Sequence, residues 1–164
     1  MSAAEQLEWT ALWEEPGIAP VESGHAFSIA GIYQDALTCG WAVQLCRPVT
    51  QLAGEEWVQH TWYEVPTLRD PCILLNAVQT ALRADVIIVS VHAADELPAE
   101  LYAWIEAWLP RRLSRMGALA ALIGVAGRVD HEAARTQEYL KTVACRGQLD
   151  FVPRERMVPV EYST

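Results

Sequence analysis

The polarity of the chain changes its period several times, and each change marks an element. Val86-Ile87-Ile88-Val89-Ser90-Val91 is an unbroken apolar run, the pattern of a strand covered on both faces. After a short polar loop, Leu101, Trp104, Ile105, Trp108 and Leu109 recur at helical spacing, with Pro98 suited to the first turn and Pro110 to the stop. Ala118–Val125 repeats the buried-strand pattern. Phe27–Tyr33 predicts a short first strand, and residues 149–152 a last one that gives way to a tail at Pro153. Residues 56–65 mix polar and aromatic side chains on both alternating faces, which predicts a strand at the sheet edge. Between the strands, Leu37, Trp41, Leu45 and Val49 form a helical stripe ending at Gly54. Pro48 lies inside that stripe and predicts a kink or restart. Asp70-Pro71 opens a second helix carrying Leu74, Val78, Ala81 and Leu82, and Asp130 caps a last one carrying Ala133, Gln137, Leu140 and Ala144 before Gly147.

Strands and helices therefore alternate. That order predicts an α/β fold, a three-layer α/β/α sandwich around a five-stranded parallel sheet, and right-handed crossovers favour the strand order 2-1-3-4-5. The sandwich is expected over residues 26–164, preceded by an acidic arm at 1–25. Trp9 and Trp13 of the arm call for burial, on the arm's own domain or on a twofold partner, so a homodimer through the arm is one expectation.

Composition narrows the partners. Of 164 residues, 52% are hydrophobic and 20% charged, enough apolar surface for one full core. A net charge of −9 repels duplex nucleic acid and anionic membranes, which leaves a small molecule or a protein as partner. The first residues carry no basic stretch followed by an apolar one, and no apolar segment approaches membrane-spanning length, so a soluble, cytoplasmic protein is expected. Cys39, Cys46, Cys72 and Cys145 are scattered, without a C-x-x-C pair. They read as buried free thiols, and no metal is expected. Arg111, Arg112 and Arg115 cluster where a helix ends and read as a solvated patch.

Leu97-Pro98-Ala99-Glu100-Leu101 with Trp104-Ile105-Glu106 resembles the S-x-P-x-x-L-K-N-x-x-D-W skeleton that follows the third strand of flavin-dependent NAD(P)H reductases. Gly124-Val125-Ala126-Gly127 and Arg135-Thr136-Gln137-Glu138-Tyr139-Leu140 are similar to that group's glycine-rich loop and its R-A-x-x-x-L helix. The resemblance implies a flavodoxin-like fold, and an FMN-dependent NAD(P)H oxidoreductase with an atypical phosphate loop as one reading. The loop after the first strand departs from it. Tyr33-Gln34-Asp35-Ala36-Leu37-Thr38-Cys39-Gly40 keeps one hydroxyl and one glycine and sets Asp35 where a phosphate would sit, unless Asp35 simply caps the helix. His92 and Ala93 replace the reductases' tyrosine and asparagine, and Asp130-His131 their double glycine.

The reading favoured by these departures is a binding or interaction module that has lost the flavin phosphate loop and carries no cofactor. Its cleft is expected at the carboxyl ends of the first, third and fourth strands, lined by Asp35, Thr38, Gly40, His92, Ala93, Asp95, Gly127 and Arg128. His92 is the most interesting titratable group. It could join Asp95, Glu96, Asp130 and His131 in an acid/base or metal cluster, although their spacing matches no ligand pattern. A phosphorelay receiver is disfavoured, because the third strand ends in Ser90-Val91-His92 and no lysine follows Phe151. Ser90 stands in no nucleophile elbow.

Overall fold

The computed structural model describes residues 27–112, 116–126 and 131–159. The arm at 1–25 and the predicted cap Asp130 lie outside the described residues. Five parallel strands form one sheet: β1 (Phe27–Tyr33), β2 (Val58–Glu64), β3 (Val86–His92), β4 (Ala118–Val125) and β5 (Asp150–Met157). Their order is β2-β1-β3-β4-β5. The helices are α1 (Ala36–Ala53), α2 (Pro71–Arg83), α3 (Ala99–Trp108) and α4 (His131–Arg146). The expected flavodoxin-like topology is present, with β2 at the edge as its mixed polarity predicted.

The two faces of the sheet are covered unequally. Ala30, Ile32, Ile87, Val89, Val91, Leu119, Ala121 and Ile123 point into one core with Ala77, Val78 and Ala81 of α2, Leu101, Trp104, Ile105 and Trp108 of α3, and Leu140, Val143 and Ala144 of α4. Trp104 and Trp108 are fully buried and meet edge to face, centroids 5.7 Å apart. Among the described residues neither indole N–H has an acceptor, so these rings stabilise through area and edge-to-face contact alone. The opposite core is smaller: Phe27, Ile29, Val86, Ile88, Ala118, Ala120 and Leu122 against Ala42, Leu45, Cys46 and Val49 of α1.

Asp70 caps α2 as expected, its carboxylate accepting the Cys72 N–H at 2.8 Å, with Pro71 in the first turn. Gly54 ends α1 at φ 88°, in the region glycine tolerates and other residues resist. Four expectations are corrected. The helix does not restart at Pro48; α1 runs through it, because the proline deprives only Gln44 of its helical partner and Gln44 is exposed to water. The last strand does not stop at Pro153 but continues to Met157. Pro153 lies opposite Ala121 on an edge strand, where a missing N–H on the open side loses nothing.

Arg112 is not solvated. It is 3% exposed, and its guanidinium donates to the carbonyls of Ala81 (2.6 Å) and Met116 (3.3 Å), fastening the end of α2 to the approach of β4. Its long aliphatic stem lets it cross apolar ground while carbonyls take the charge. Finally, of the four free thiols only Cys46 is buried; Cys39 is half-buried, and Cys72 and Cys145 are exposed. Burial pushes the Cys46 thiol up to about 12, which leaves it inert at neutral pH.

One packing contact is testable directly. A Cβ at Gly31 would sit 1.9 Å from Cζ3 of Trp62, so the indole of edge strand β2 lies flat over β1 only because Gly31 has no side chain. Gly31→Ala should destabilise the fold by about 1–3 kcal/mol, the range for overpacking, and a second change, Trp62→Leu, should recover most of that loss. Urea midpoints for the two variants check this. Equal midpoints for wild type and Gly31→Ala would mean that the ring does not rest there.

Candidate functional site

The site lies at the carboxyl end of β1, β3 and β4, where the helix following β1 and the helix following β3 leave on opposite faces of the sheet. Its first half is the loop into α1. Asp35 is extended (φ −154°, ψ −174°) and caps the helix: its Oδ1 accepts the Thr38 N–H at 3.0 Å. Thr38, at the third helical position, reaches back. Its Oγ1 accepts the N–H groups of both Gln34 and Asp35 at 2.9 Å, a capping box with threonine in place of the usual glutamate. Thr38 is fully buried, so its hydroxyl belongs to the loop and not to the cleft.

The second half is the end of β3. Buried Ser90 donates to the Thr38 carbonyl at 2.7 Å, tying β3 to α1. His92 N–H donates to Gln34 Oε1 at 2.5 Å. The His92 ring closes on the cap, Nε2 2.7 Å from Asp35 Oδ2, with the imidazole 30% and the carboxylate 48% exposed. An ionised carboxylate only accepts, so the proton sits on Nε2. The other face of the ring is set by β4. A Cβ at Gly124 would lie 3.0 Å from the Trp41 indole and 3.1 Å from His92 Nδ1. Trp41 meets His92 edge-on, with centroids 6.1 Å apart. A side chain at position 124 would press both rings back by a few tenths of an ångström.

Burial would raise the Asp35 pKa, but the bonds from the Thr38 N–H and from His92 outweigh it and hold the carboxyl below the ordinary carboxylate range. The helix N-terminus at Asp35 is therefore partly filled by the chain's own oxygens, which take the N–H groups of Gln34, Asp35 and Thr38 but not those of Ala36 and Leu37. One carboxylate oxygen takes the Thr38 N–H and the other His92, while the Thr38 hydroxyl takes two further backbone N–H groups.

The remaining predicted residues divide. Ala93 is held beside the pair, its N–H donating to the Gly124 carbonyl at 2.9 Å. Gly40 faces open space on α1. Asp95 does not join His92; it pairs with Arg135 of α4 at 3.4 Å. The loop before it is pinned to α4 by Thr136, whose hydroxyl bonds both the N–H and the carbonyl of Ala94. His131 opens α4 and is exposed, as is Glu96. Gly127, Arg128 and Asp130 lie outside the described residues. Among the described residues no group of three His, Cys, Asp or Glu side chains could hold a metal. Gln34, Trp41, Ser90 and Gly124 were not anticipated. Trp41 was hidden within the α1 stripe and Ser90 within an apolar strand.

A separate groove of about 200 Å³ runs between α1 and edge strand β2, lined by Val43, Cys46, Arg47, Thr50, Glu55, His60 and Trp62. Desolvation lowers the His60 pKa. The groove falls below the roughly 300–1,000 Å³ of small-molecule sites.

No family model matches the chain, and no curated protein does. Among solved structures the chain is similar to the Trp repressor binding protein from Bacillus subtilis, with a TM-score of 0.55 and 12% identity, over 80% of this chain and 85% of that one. At that identity the likeness is one of fold, and the fold is flavodoxin-like. No helix among the described residues is long and apolar enough to cross a membrane.

The cap is sensitive to acid in a defined direction. Because the folded-state pKa of Asp35 is depressed, its contribution is complete above the unfolded value of about 3.9 and disappears as pH falls through the folded value. Asp35→Ala should cost about 1 kcal/mol near neutrality, the worth of an N-cap. Its deficit against wild type should shrink below about pH 3.9 in pH-dependent chemical denaturation. A deficit that stays constant through that range would show that the ionised carboxylate contributes nothing to the cap.

Proposed function

We propose that this chain is a binding module on a flavodoxin-like scaffold, without flavin, whose cleft around Asp35, His92, Ala93 and Trp41 takes a neutral or cationic group of a small molecule or protein. One observation carries the reading: the start of α1, where such a scaffold offers backbone N–H groups to a phosphate, is partly filled by the chain's own oxygens. The Thr38 hydroxyl holds the Gln34 and Asp35 N–H groups, and the Asp35 carboxylate holds that of Thr38. A phosphate dianion would have to displace these bonds and then sit beside a carboxylate. Even at an effective dielectric near 20 the repulsion of two unit charges about 4 Å apart is roughly 4 kcal/mol, comparable to three tenfold steps of affinity.

The same geometry weighs against acid/base catalysis by His92. Nε2 is committed to Asp35, and Nδ1 lies close to Gly124. A general base needs a nitrogen within hydrogen-bond reach of a substrate proton. What the cleft offers instead is a half-exposed carboxylate beside a half-buried indole, a pairing suited to a cation or a hydrogen-bond donor on an apolar body.

A second reading, an FMN-dependent NAD(P)H oxidoreductase, is favoured by one feature: half-buried Trp41 stands at the rim, where an indole could stack on a flavin ring. Flavin titration separates the two. Wild type should show no saturable FMN binding, and Asp35→Ser, which removes the charge and keeps a capping oxygen, should bind FMN more tightly. Submicromolar FMN binding by wild type, unimproved by the substitution, would put the reductase reading first.

A further inference from the structure

Five parallel strands spaced about 4.8 Å apart span roughly 19 Å between their outer axes, whereas one helix with its side chains is about 10 Å across. Three helices meet this demand on one face; among the described residues only α1 meets it on the other. α1 lies against β1 and β3 and reaches β4. The strip over β4 and β5 is nonetheless dry: Ala118, Ala120 and Leu122, which point to this face, are fully buried, and Val152 beside them is half-buried. A single helix is too narrow to account for the burial of that whole strip.

We propose that the acidic N-terminal segment, residues 1–26, docks in the place of the missing second helix on this face, seating Trp9, Leu12 and Trp13 on Ala118, Ala120 and Val152. Three observations select it. The other segments outside the described residues, 113–115, 127–130 and 160–164, are far shorter than 1–26, and only 1–26 holds enough apolar side chains to close such a strip. It joins the sheet at Phe27, on the same edge of the layer as Ala118 and Asp150: Phe27 precedes the residue pair Ile29 and Val86, and Val86 is level with Ala118 and Ala118 with Asp150. The stretch between Trp13 and Phe27 can extend roughly 40 Å at about 3.3 Å per residue, far more than the two strand spacings from β1 to β4. The charges also match. The segment carries Glu5, Glu8, Glu14, Glu15 and Glu22 and no lysine or arginine, while Arg154 and Arg156 project from β5 on this same face, level with Leu122 and Gly124. Small residues on β4 leave room for indoles, and arginines at the rim receive the carboxylates.

A zero-length carbodiimide cross-link tests the placement in the full-length chain, because it joins an amine to a carboxylate only in contact. Lys141 is the single native lysine, and it sits exposed on α4, over the opposite face, where it serves as internal control. In Arg154→Lys, and separately in Arg156→Lys, mass spectrometry should find residue 154 or 156 joined to Glu5, Glu8, Glu14 or Glu15, and Lys141 joined to none of them. Adding Trp9→Ala and Trp13→Ala should remove these cross-links; full yield without the indoles overturns the seating proposed. Mixing isotopically heavy and light protein identifies the donor chain. Heavy–light pairs would mean that a second copy supplies the segment, and absence of cross-links to the segment at both positions would mean that it docks elsewhere. Either result overturns the proposal.

Discussion

The Thr38 hydroxyl is the contact on which the rest of the site depends. It is buried, accepts two backbone N–H groups, and lies one bond network away from both strands that bracket the cleft. Without it, Gln34 and Asp35 would each leave an N–H unsatisfied in a partly dry loop, at roughly 1–3 kcal/mol apiece. With it, the chain turns from β1 into α1 in a single geometry. That turn presents the Gln34 amide to the His92 N–H and the Asp35 carboxylate to the His92 ring. The end of β3 is therefore positioned by the start of α1, and the start of α1 by a hydroxyl bonded within its own loop.

Most of the scaffold could be read from the sequence, for a physical reason. A strand covered on both faces has no choice of register polarity, so 86–91 and Ala118–Val125 were unmistakable, and Asp70-Pro71 is a local signal that needs no tertiary help. Misreadings came where a global fact overrode a local one. Pro153 breaks a central strand but is harmless on an edge, and whether β5 was an edge depended on the whole sheet. Arg112 looked like surface charge because the carbonyl that receives it, that of Ala81, lies on another helix. Within the site, Asp35 and His92 were both visible as candidates, but their pairing across a sequence separation of 57 leaves no trace in spacing. Trp41 read as an ordinary member of its helical stripe, and Gly124 as the start of a glycine-rich loop, until the ring of one is found against the bare Cα of the other.

The glycines repeat one device on the same face of the sheet. Gly31 on β1 gives way to the Trp62 indole, and Gly124 on β4 to the Trp41 and His92 rings. Each glycine leaves room for a ring beside it, and among the described residues this face carries one helix, so large side chains of strand and helix share the layer. The opposite face, served by three helices, is packed instead with Leu, Ile and Val and two tryptophans of α3.

The Asp35–His92 pair then takes its meaning from what surrounds it. A carboxylate that orients an imidazole resembles half of a catalytic relay, and in such a relay the second nitrogen faces a substrate or a nucleophile. Here the second nitrogen lies close to Gly124 on β4, and Ser90, two residues earlier on β3, is buried and donates to a backbone carbonyl. The ion-pair partner that the structure gives the imidazole is Asp35. The effect of the ring is on the carboxylate: by taking one oxygen it keeps Asp35 ionised and fixed over the helix N-terminus. On our reading the histidine is a positioning residue, and the negative charge that it holds in place is the feature by which this cleft selects a cation or donor and turns a phosphate away.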